Sequence, residues 1–305
     1  MSLADLSSAE ITALGAAAGQ FGESPEAFEG RLLGRRVGLV FIAPSTRTRT
    51  SFWSAATTLG AHVLHLGTDD LQVTTGETWS DTGMVLSHYL DVVVARTNGP
   101  QRDLVELATQ LPGTINALTE EEHPTQAIAD LCAMQEHFGR VEGLRLVYVG
   151  HVNNTARSLA HLACKLPFGG LDVYSPEGEG FPEAEVAALN DIRGQEVVRQ
   201  HHAIPESPPE ADVIYTTRWQ SMSAAIDDPA WLARFTPYAV TGQLVKQFSG
   251  ATPPVVMHDL PAVRGQEVTS DVLDGVTATS LVPRQAFHKA SAAAAALLWS
   301  TGSLR

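Results

Sequence analysis

Short apolar runs alternate with longer amphipathic segments along most of the chain. Eight runs predict buried strands, in the ranges 37–42, 60–67, 91–96, 113–118, 144–150, 171–175, 212–217 and 255–258. Several of the segments between them have the periodicity of helices, and Pro124 begins one such helix because proline suits the first helical turn. Strands that alternate with helices at this spacing indicate βαβ units. We therefore predict an α/β fold with parallel sheets.

The length of the chain indicates two domains. A chain of 305 residues exceeds the ~100–200 residues of one typical domain. Gly139 and Gly143 flank a break in the pattern, just before the strand predicted at 144–150. We predict a first domain over residues 1–139 and a second domain that begins at residue 140.

One turn carries the strongest chemical signal. The segment 45–49, Ser-Thr-Arg-Thr-Arg, follows the first strand and precedes a helix predicted from residue 51. A strand–turn–helix unit directs backbone N–H groups and the positive end of the helix at one place, which favours an anion. The planar guanidinium of Arg47 suits phosphate oxygens, and three hydroxyl groups add donors, those of Ser45, Thr46 and Thr48. We interpret the turn as a phosphate site; the alternative is a solvated basic turn.

Composition restricts the possible partners. The net charge of -14 argues against nucleic acid and anionic membranes, so an anion must be bound by a local cluster of cations. No apolar run approaches the ~18 residues of a membrane span, and we expect no signal peptide. Cys132 and Cys164 lie in apolar helical patterns, which predicts a reducing, cytoplasmic location. We expect neither a metal nor a cofactor.

Two further positions are candidates to face a ligand. Arg96 ends a predicted strand, and open α/β sheets bind ligands at the carboxyl ends of their strands. His123 directly precedes the helix that starts at Pro124, and Gln126 follows in its first turn. A neutral imidazole N–H beside an amide can polarise a carbonyl group and hold its amino group. The alternative is a structural histidine.

In this order, the motifs resemble those of the aspartate/ornithine carbamoyltransferase family over nearly the whole chain. The resemblance rests on the turn at 45–49, Arg96, His-Pro-Thr-Gln at 123–126, Asn153-Asn154 and His-Asp-Leu-Pro at 258–261. The ornithine branch is more similar than the aspartate branch, because of Leu-Thr-Glu-Glu-Glu-His-Pro at 118–124, Trp-Gln-Ser-Met at 219–222, the loop at 264–268 and the late Arg284.

The resemblance implies two doubly wound parallel-sheet domains with a C-terminal helix that returns to the first domain. Residues 1–139 plus about 284–305 would form a carbamoyl-phosphate-binding domain, and residues 140–283 an amino-acid-binding domain. The resemblance also implies a homotrimer with active sites at the subunit interfaces.

The resemblance further implies roles for single residues. Those that bind carbamoyl phosphate would be Ser45, Thr46, Arg47, Thr48, Gln72, Arg96, His123, Gln126, Leu260 and Arg284. Those that contact the acceptor would include Asn153, Asn154, Ser221 and Met222. In the reaction, an amine attacks the carbamoyl carbon and phosphate leaves. Negative charge then develops on the carbonyl oxygen and the leaving group, where Arg96, His123 and Thr48 would stabilise it as catalytic residues.

Departures from the ornithine branch lie in the acceptor half of the chain. Asp259 stands where that branch has cysteine, and Thr217 stands where it has aspartate. Arg218 resembles an arginine with which the aspartate branch holds a substrate carboxylate. His151 replaces an acidic residue. We interpret these changes as a changed acceptor: Asp259 would join the catalytic site by binding the acceptor's ammonium group, and Arg218 would bind a carboxylate.

The sequence thus predicts an enzyme that transfers the carbamoyl group of carbamoyl phosphate to an amino-acid amine. The acceptor would be ornithine or an ornithine-like diamino acid. Two alternatives remain open: a carbamoyltransferase of the aspartate type, and a catalytically silent, anion-binding homologue.

Overall fold

The computed structural model describes residues 1–111, 113–220 and 228–304. The chain forms two compact units, Met1–Glu136 with Ala286–Arg305, and His137–Gln285. Each unit is built on a parallel β-sheet with flanking helices, so the predicted α/β fold is confirmed. Within the described ranges, no helix is both long enough and apolar enough to span a bilayer.

Among its described residues, the first unit contains four strands and six α-helices. The strands are β1 (Arg36–Phe41), β2 (His62–Leu66), β3 (Val92–Arg96) and β4 (Thr114–Leu118). The helices are α1 (Ser8–Glu23), α2 (Arg47–Thr58), α3 (Trp79–Ser87), α4 (Gln101–Gln110), α5 (Pro124–Phe138) and, from Ala286 onward, the C-terminal helix α11 (Val282–Ser300). The strands are ordered β2-β1-β3-β4.

Burial in this unit follows from its sequence. All five residues of β3 are buried, as expected for a parallel strand covered on both faces. Ser7 or Ser8, which precede an apolar-periodic run, are the N-cap that the sequence predicts. Helix α1 begins at a capping box between Ser7 and Glu10, so Ser7 is the N-cap. The alanine-rich part of α11 brings Ala293 and Leu297 into the same core as Phe52 of α2, because small side chains allow close packing.

The second unit contains five strands and four complete helices among the described residues. The strands are β5 (Arg145–Val149), β6 (Gly170–Tyr174), β7 (Val198–His201), β8 (Val213–Thr216) and β9 (Val255–His258), in the order β7-β6-β5-β8-β9. Helices α6 (Asn154–Lys165), α7 (Glu183–Asp191), α8 (Pro229–Phe235) and α9 (Gly242–Gln247) accompany them, together with the single turn α10 (Ser270–Leu273).

Gly150, which follows β5, is required by its surroundings. Its φ of +125° lies in the left-handed region, and a Cβ there would come within 3.0 Å of the Trp219 ring. Only glycine adopts this φ without strain and leaves room for the Trp219 ring. This close approach lets Trp219 pack beneath the end of β5 and join Trp231 and Phe235 in a buried aromatic cluster.

The strand order of each sheet reverses direction once. In the first unit β1 lies between β2 and β3, and in the second β5 lies between β6 and β8. Open α/β sheets bind ligands at such a reversal, beyond the carboxyl ends of the two strands. The segments that follow β1 and β3, and those that follow β5 and β8, are therefore the places to look for a site.

The structure corrects two details of the prediction. Helix α2 begins at Arg47 rather than at residue 51, because the polar turn at 45–49 continues directly into the helix. The segment 68–77, whose polar composition predicts a mobile loop, contains two 3₁₀ turns, Thr68–Asp70 and Gln72–Thr75. The pattern predicted no element for α4, β7 or α7.

Candidate functional site

The reversal point of the first sheet brings Ser45 and Arg96 together. Arg96 ends β3 and is buried, and its Nη1 donates a hydrogen bond to Ser45 Oγ over 3.1 Å. Its Nε donates to Asn98 Oδ1, also over 3.1 Å. The pairing between β3 and β4 shifts register between Ala95 and Arg96, so the strand becomes irregular where this side chain emerges. Two hydrogen bonds thus orient the guanidinium group.

The first turn of α2 supplies the second part of this site. Thr46 occupies the N-cap position without a side-chain capping bond, and the first backbone N–H groups of a helix favour an anion. Thr48 is buried beside Ser45, whereas Thr46 and Arg49 are exposed.

Arg47 is half-buried and lines a cleft of about 340 Å³. The other residues of this cleft come from α2 and α11: Thr50, Ser51, Trp53, Ser54, Ala286, Lys289 and Ala290. An arginine and a lysine therefore face one cleft in an otherwise acidic protein. Because the net charge of the chain is negative, an anion must be bound by a local cluster of cations, and this pair supplies one.

His123 is buried next to this cationic group. Burial holds the pKa of its imidazole well below the usual value of 6.5, and the positive charges of Lys289, Arg96 and Arg47 lower it further. Proximity to three cations places His123 with the residues of the turn and the strand end. At neutral pH the ring is therefore uncharged and carries a single N–H.

Gln126, one turn into α5, makes two buried hydrogen bonds. Its Nε2 donates to Asp130 Oδ1 over 2.8 Å, and its Oε1 accepts from Lys289 Nζ over 2.5 Å. Lys289 was missed by the sequence analysis, which named Arg284 on the same helix. A signal existed, because Lys289 is a lone cation at the start of an alanine-rich run. Arg284 belongs to the second unit, and its role toward the carbamoyl group remains a prediction.

The reversal point of the second sheet contains Asn153 and Thr217. Asn153 caps α6, because its Oδ1 accepts hydrogen bonds from the backbone N–H groups of Thr155 and Ala156. Its Nδ2 donates to Thr217 Oγ1 over 3.0 Å.

Thr217 is buried, and its hydroxyl group makes two hydrogen bonds. Thr217 Oγ1 lies 2.8 Å from Tyr148 Oη, while that phenol donates its one hydrogen to the carbonyl oxygen of His151 over 2.6 Å. The hydroxyl of Thr217 therefore donates to Tyr148 and accepts from Asn153. These bonds tie β5, β8 and α6 together at this point of the sheet.

Asp259 adjoins the start of α6 from the end of β9. Its Oδ2 accepts a hydrogen bond from Thr155 Oγ1 over 2.9 Å, and its side chain is 18% exposed. Thr155 lies in the first turn of α6, whose positive end favours a carboxylate. Asp259 Oδ1 also lies 3.5 Å from His258 Nδ1, but that nitrogen already accepts the Leu260 N–H over 2.8 Å. We therefore describe this contact as a close approach rather than an ion pair.

A buried histidine–glutamate pair holds the loop that follows β9. Since His258 Nδ1 accepts from Leu260, its Nε2 carries the hydrogen and donates to Glu267 Oε1 over 3.2 Å. The same Glu267 oxygen accepts the Val263 N–H over 2.6 Å. Leu260 has a φ of +55°, which is unfavourable for leucine, and these bonds hold it there.

The remaining predicted residues are placed as follows. Gln72 is exposed in a 3₁₀ turn of the first unit, and Leu260 lies in the second unit. Asn154 is half-buried at the first position of α6.

Arg218 is half-buried, and its Nε has no hydrogen-bond partner among the described residues. His151, the replaced acidic position, pairs with Glu179 over 3.0 Å. Ser221 and Met222 lie outside the described residues.

Two family models match the chain. The model described as "Aspartate/ornithine carbamoyltransferase, carbamoyl-P binding domain" matches residues 1–136. The model described as "Aspartate/ornithine carbamoyltransferase, Asp/Orn binding domain" matches residues 142–300. The first match ends at Glu136, as does the first segment of the first unit, whereas the second match continues through α11.

Relatives and solved structures agree with the family models. The anabolic ornithine carbamoyltransferase of Pyrococcus furiosus is 39% identical over 283 residues, which are 90% of this chain and 87% of that protein. The ornithine carbamoyltransferase of Anoxybacillus flavithermus is 39% identical over 250 residues, 80% of this chain and 78% of that protein. The solved structure of the Pyrococcus furiosus enzyme has a TM-score of 0.88 at 33% identity and covers 99% of this chain and 96% of its own. The mitochondrial ornithine carbamoyltransferase of Coccidioides immitis has a TM-score of 0.87 at 31% identity, with coverages of 100% and 98%.

Proposed function

Because the chain belongs to the aspartate/ornithine carbamoyltransferase family, we propose that it carbamoylates an ornithine-like diamino acid, for which ornithine itself is a poor substitute. The observation that carries this proposal is the difference between a partly exposed carboxylate at Asp259 and a buried, uncharged hydroxyl at Thr217. The names of the relatives support a diamino acid, and the two substituted positions support a change in how its ammonium group is bound.

In the proposed reaction the first unit binds carbamoyl phosphate. The N-terminal turn of α2, Arg47 and Arg96 bind the phosphate group, and the neutral His123 donates its N–H to the carbonyl oxygen. The acceptor amine attacks the carbamoyl carbon, the bond from that carbon to the phosphate oxygen breaks, and phosphate departs. The departing phosphate takes the proton that the nitrogen loses. No covalent intermediate is needed, so orientation supplies much of the rate, by as much as roughly 7–11 kcal/mol.

The acceptor residues of the second unit differ in what they offer an ammonium group. Thr217 is uncharged and buried, and its hydroxyl oxygen already accepts a hydrogen bond from Asn153. The carboxylate of Asp259 is partly exposed, and it accepts a hydrogen bond from the neutral hydroxyl group of Thr155. An ammonium group is bound more strongly by a carboxylate than by a hydroxyl. We therefore propose Asp259 as the ammonium partner and Arg218 as the partner of the acceptor's carboxylate.

This assignment predicts the acceptor range. Wild-type enzyme is expected to use ornithine with a kcat/KM below ~10⁴ M⁻¹s⁻¹, at the lower end for enzymes, and to prefer a shorter or modified diamino acid. The double variant Asp259→Cys with Thr217→Asp is expected to raise the ornithine value, since it restores a carboxylate at position 217, to which Asn153 can donate. The measurement is phosphate release with a panel of diamino acids and aspartate, for both proteins.

Each outcome of this panel has a distinct meaning. Efficient use of ornithine by the wild type would contradict the role of Asp259 in selecting the acceptor. A preference for aspartate would favour the aspartate-type alternative. No phosphate release with any amine would indicate the catalytically silent homologue.

We also propose that the enzyme is a homotrimer. Strand β2 is an edge strand of the first sheet, and Leu64 on it and Trp53 in the cleft are each 50% exposed. Exposed apolar side chains on a sheet edge favour association.

Light scattering is expected to give three times the 32.6 kDa of one chain, and the variant Leu64→Lys is expected to give a lower mass. The matched control Val276→Lys, at a 77% exposed valine of the second unit, should remain trimeric. A stable, active monomer would contradict the proposal.

A further inference from the structure

Asp130 lies one helical turn after Gln126 on α5 and is completely buried. We propose that Asp130 is a positioning residue that lets the enzyme select carbamoyl phosphate over acyl phosphates such as acetyl phosphate, by fixing the orientation of the Gln126 amide. The inference rests on the proposed function, because it concerns the same donor substrate.

The partners of Gln126 allow only one orientation of its amide. The carboxylate of Asp130 accepts hydrogen bonds and cannot donate them, whereas the ammonium group of Lys289 donates and cannot accept. Gln126 therefore directs its NH₂ group at Asp130 and its oxygen at Lys289, as the 2.8 Å and 2.5 Å contacts show. In the reverse orientation, the Gln126 oxygen would face the Asp130 carboxylate, which places two acceptors together. The Gln126 NH₂ group would face the Lys289 ammonium group, which places two donors together. Such unpaired contacts are costly in a buried site.

The fixed orientation determines which hydrogen bond the substrate can make. Gln126 oxygen has two lone pairs, and Lys289, which lines the cleft with Arg47, uses one of them. The second lone pair is an acceptor for the amino group of carbamoyl phosphate. Acetyl phosphate has the same phosphate and carbonyl groups but a methyl group in place of the amino group. It would leave this buried oxygen without its partner, and sites of this kind reject analogues that lack the donor.

The isosteric variant Asp130→Asn tests the inference, because a carboxamide can pair with Gln126 in either orientation, and only the Lys289 contact then opposes the reversed amide. The measurement is the dissociation constant of carbamoyl phosphate and that of acetyl phosphate, both by calorimetry, together with KM and kcat. We expect the dissociation constant of acetyl phosphate divided by that of carbamoyl phosphate to fall at least tenfold in Asp130→Asn. The affinity for inorganic phosphate should stay within twofold. The control Glu136→Gln, also on α5 and bonded to His288, should leave the ratio unchanged.

A merely structural role for Asp130 predicts a different result. It would lower stability, or weaken both ligands equally, and an unchanged ratio would overturn the inference. If Asp130→Asn does not fold, Gln126→Ala tests the same selection, and an unchanged ratio in that variant would also overturn it. Failure of the proposed function is distinguishable, because it appears in the acceptor panel of the wild-type enzyme, whereas the two dissociation constants are measured without an acceptor.

Discussion

Replacing His123 with alanine is expected to lower kcat by about 10²–10³ while the affinity for carbamoyl phosphate changes little. The imidazole is buried and neutral, so in the proposed reaction it would contribute one hydrogen bond that strengthens as charge develops on the carbonyl oxygen. Steady-state kinetics with saturating donor, together with calorimetry for binding, separates the two effects. The matched control is His137→Ala, at an exposed histidine near the end of the same helix. Normal turnover in the His123 variant would show that this histidine is structural.

The lowered pKa of His123 also links it to acid stability. In the unfolded chain the imidazole takes up a proton near ~6.5, whereas in the folded protein burial and three cations oppose that proton. The unfolded state therefore binds more protons below that pH, and the folded state loses stability as the pH falls through ~6.5. We expect Tm to fall less between pH 7 and pH 5 in His123→Ala than in the wild type. Parallel curves would contradict this linkage.

The second large effect is expected from Arg47→Ala. Loss of a charge-assisted contact costs ~1.5–3 kcal/mol, which corresponds to a roughly 10- to 150-fold weaker affinity for carbamoyl phosphate. Arg49→Ala is a matched control, because Arg49 has the same charge in the same turn of α2 but is exposed and is not among the residues that line the cleft. Calorimetry on both variants is the measurement. Equal affinities for the two variants would contradict the assignment of this turn.

The sequence predicts the fold well where burial alone determines it. The strands β3 and β9 are buried throughout and are apolar up to their last residues, Arg96 and His258, and such runs can be recognised from the sequence alone. Helix α4 was missed although Leu104 and Leu107 face the core, since polar residues dominate its remaining positions. The start of α2 was missed for a related reason. Its first turn consists of polar residues, and only Thr48 among them is buried.

The candidate site was predictable where a motif is local and not where two distant segments meet. Ser45 and Arg96 each end a strand, and the order of the sheet brings them together as open α/β sheets generally do. Lys289 meets Gln126 across 163 residues of sequence, which no local pattern reveals. Likewise, the hydrogen bonds that occupy Thr217 come from β5 and from the cap of α6. A sequence shows only that a threonine is present there.

The hydrogen bonds of the loop after β9 have a consequence for how such enzymes diverge. His258 and Glu267 hold the backbone at Leu260 and Val263, and the side chain of Asp259 takes no part in those bonds. If Asp259 binds the acceptor as proposed, a substitution at 259 can change the acceptor chemistry without refolding the loop. A substitution at this single position would then be enough to start a gene duplicate toward a new acceptor, with the donor chemistry retained in the other unit. Acceptor range in this lineage is then expected to vary faster than the fold or the use of carbamoyl phosphate.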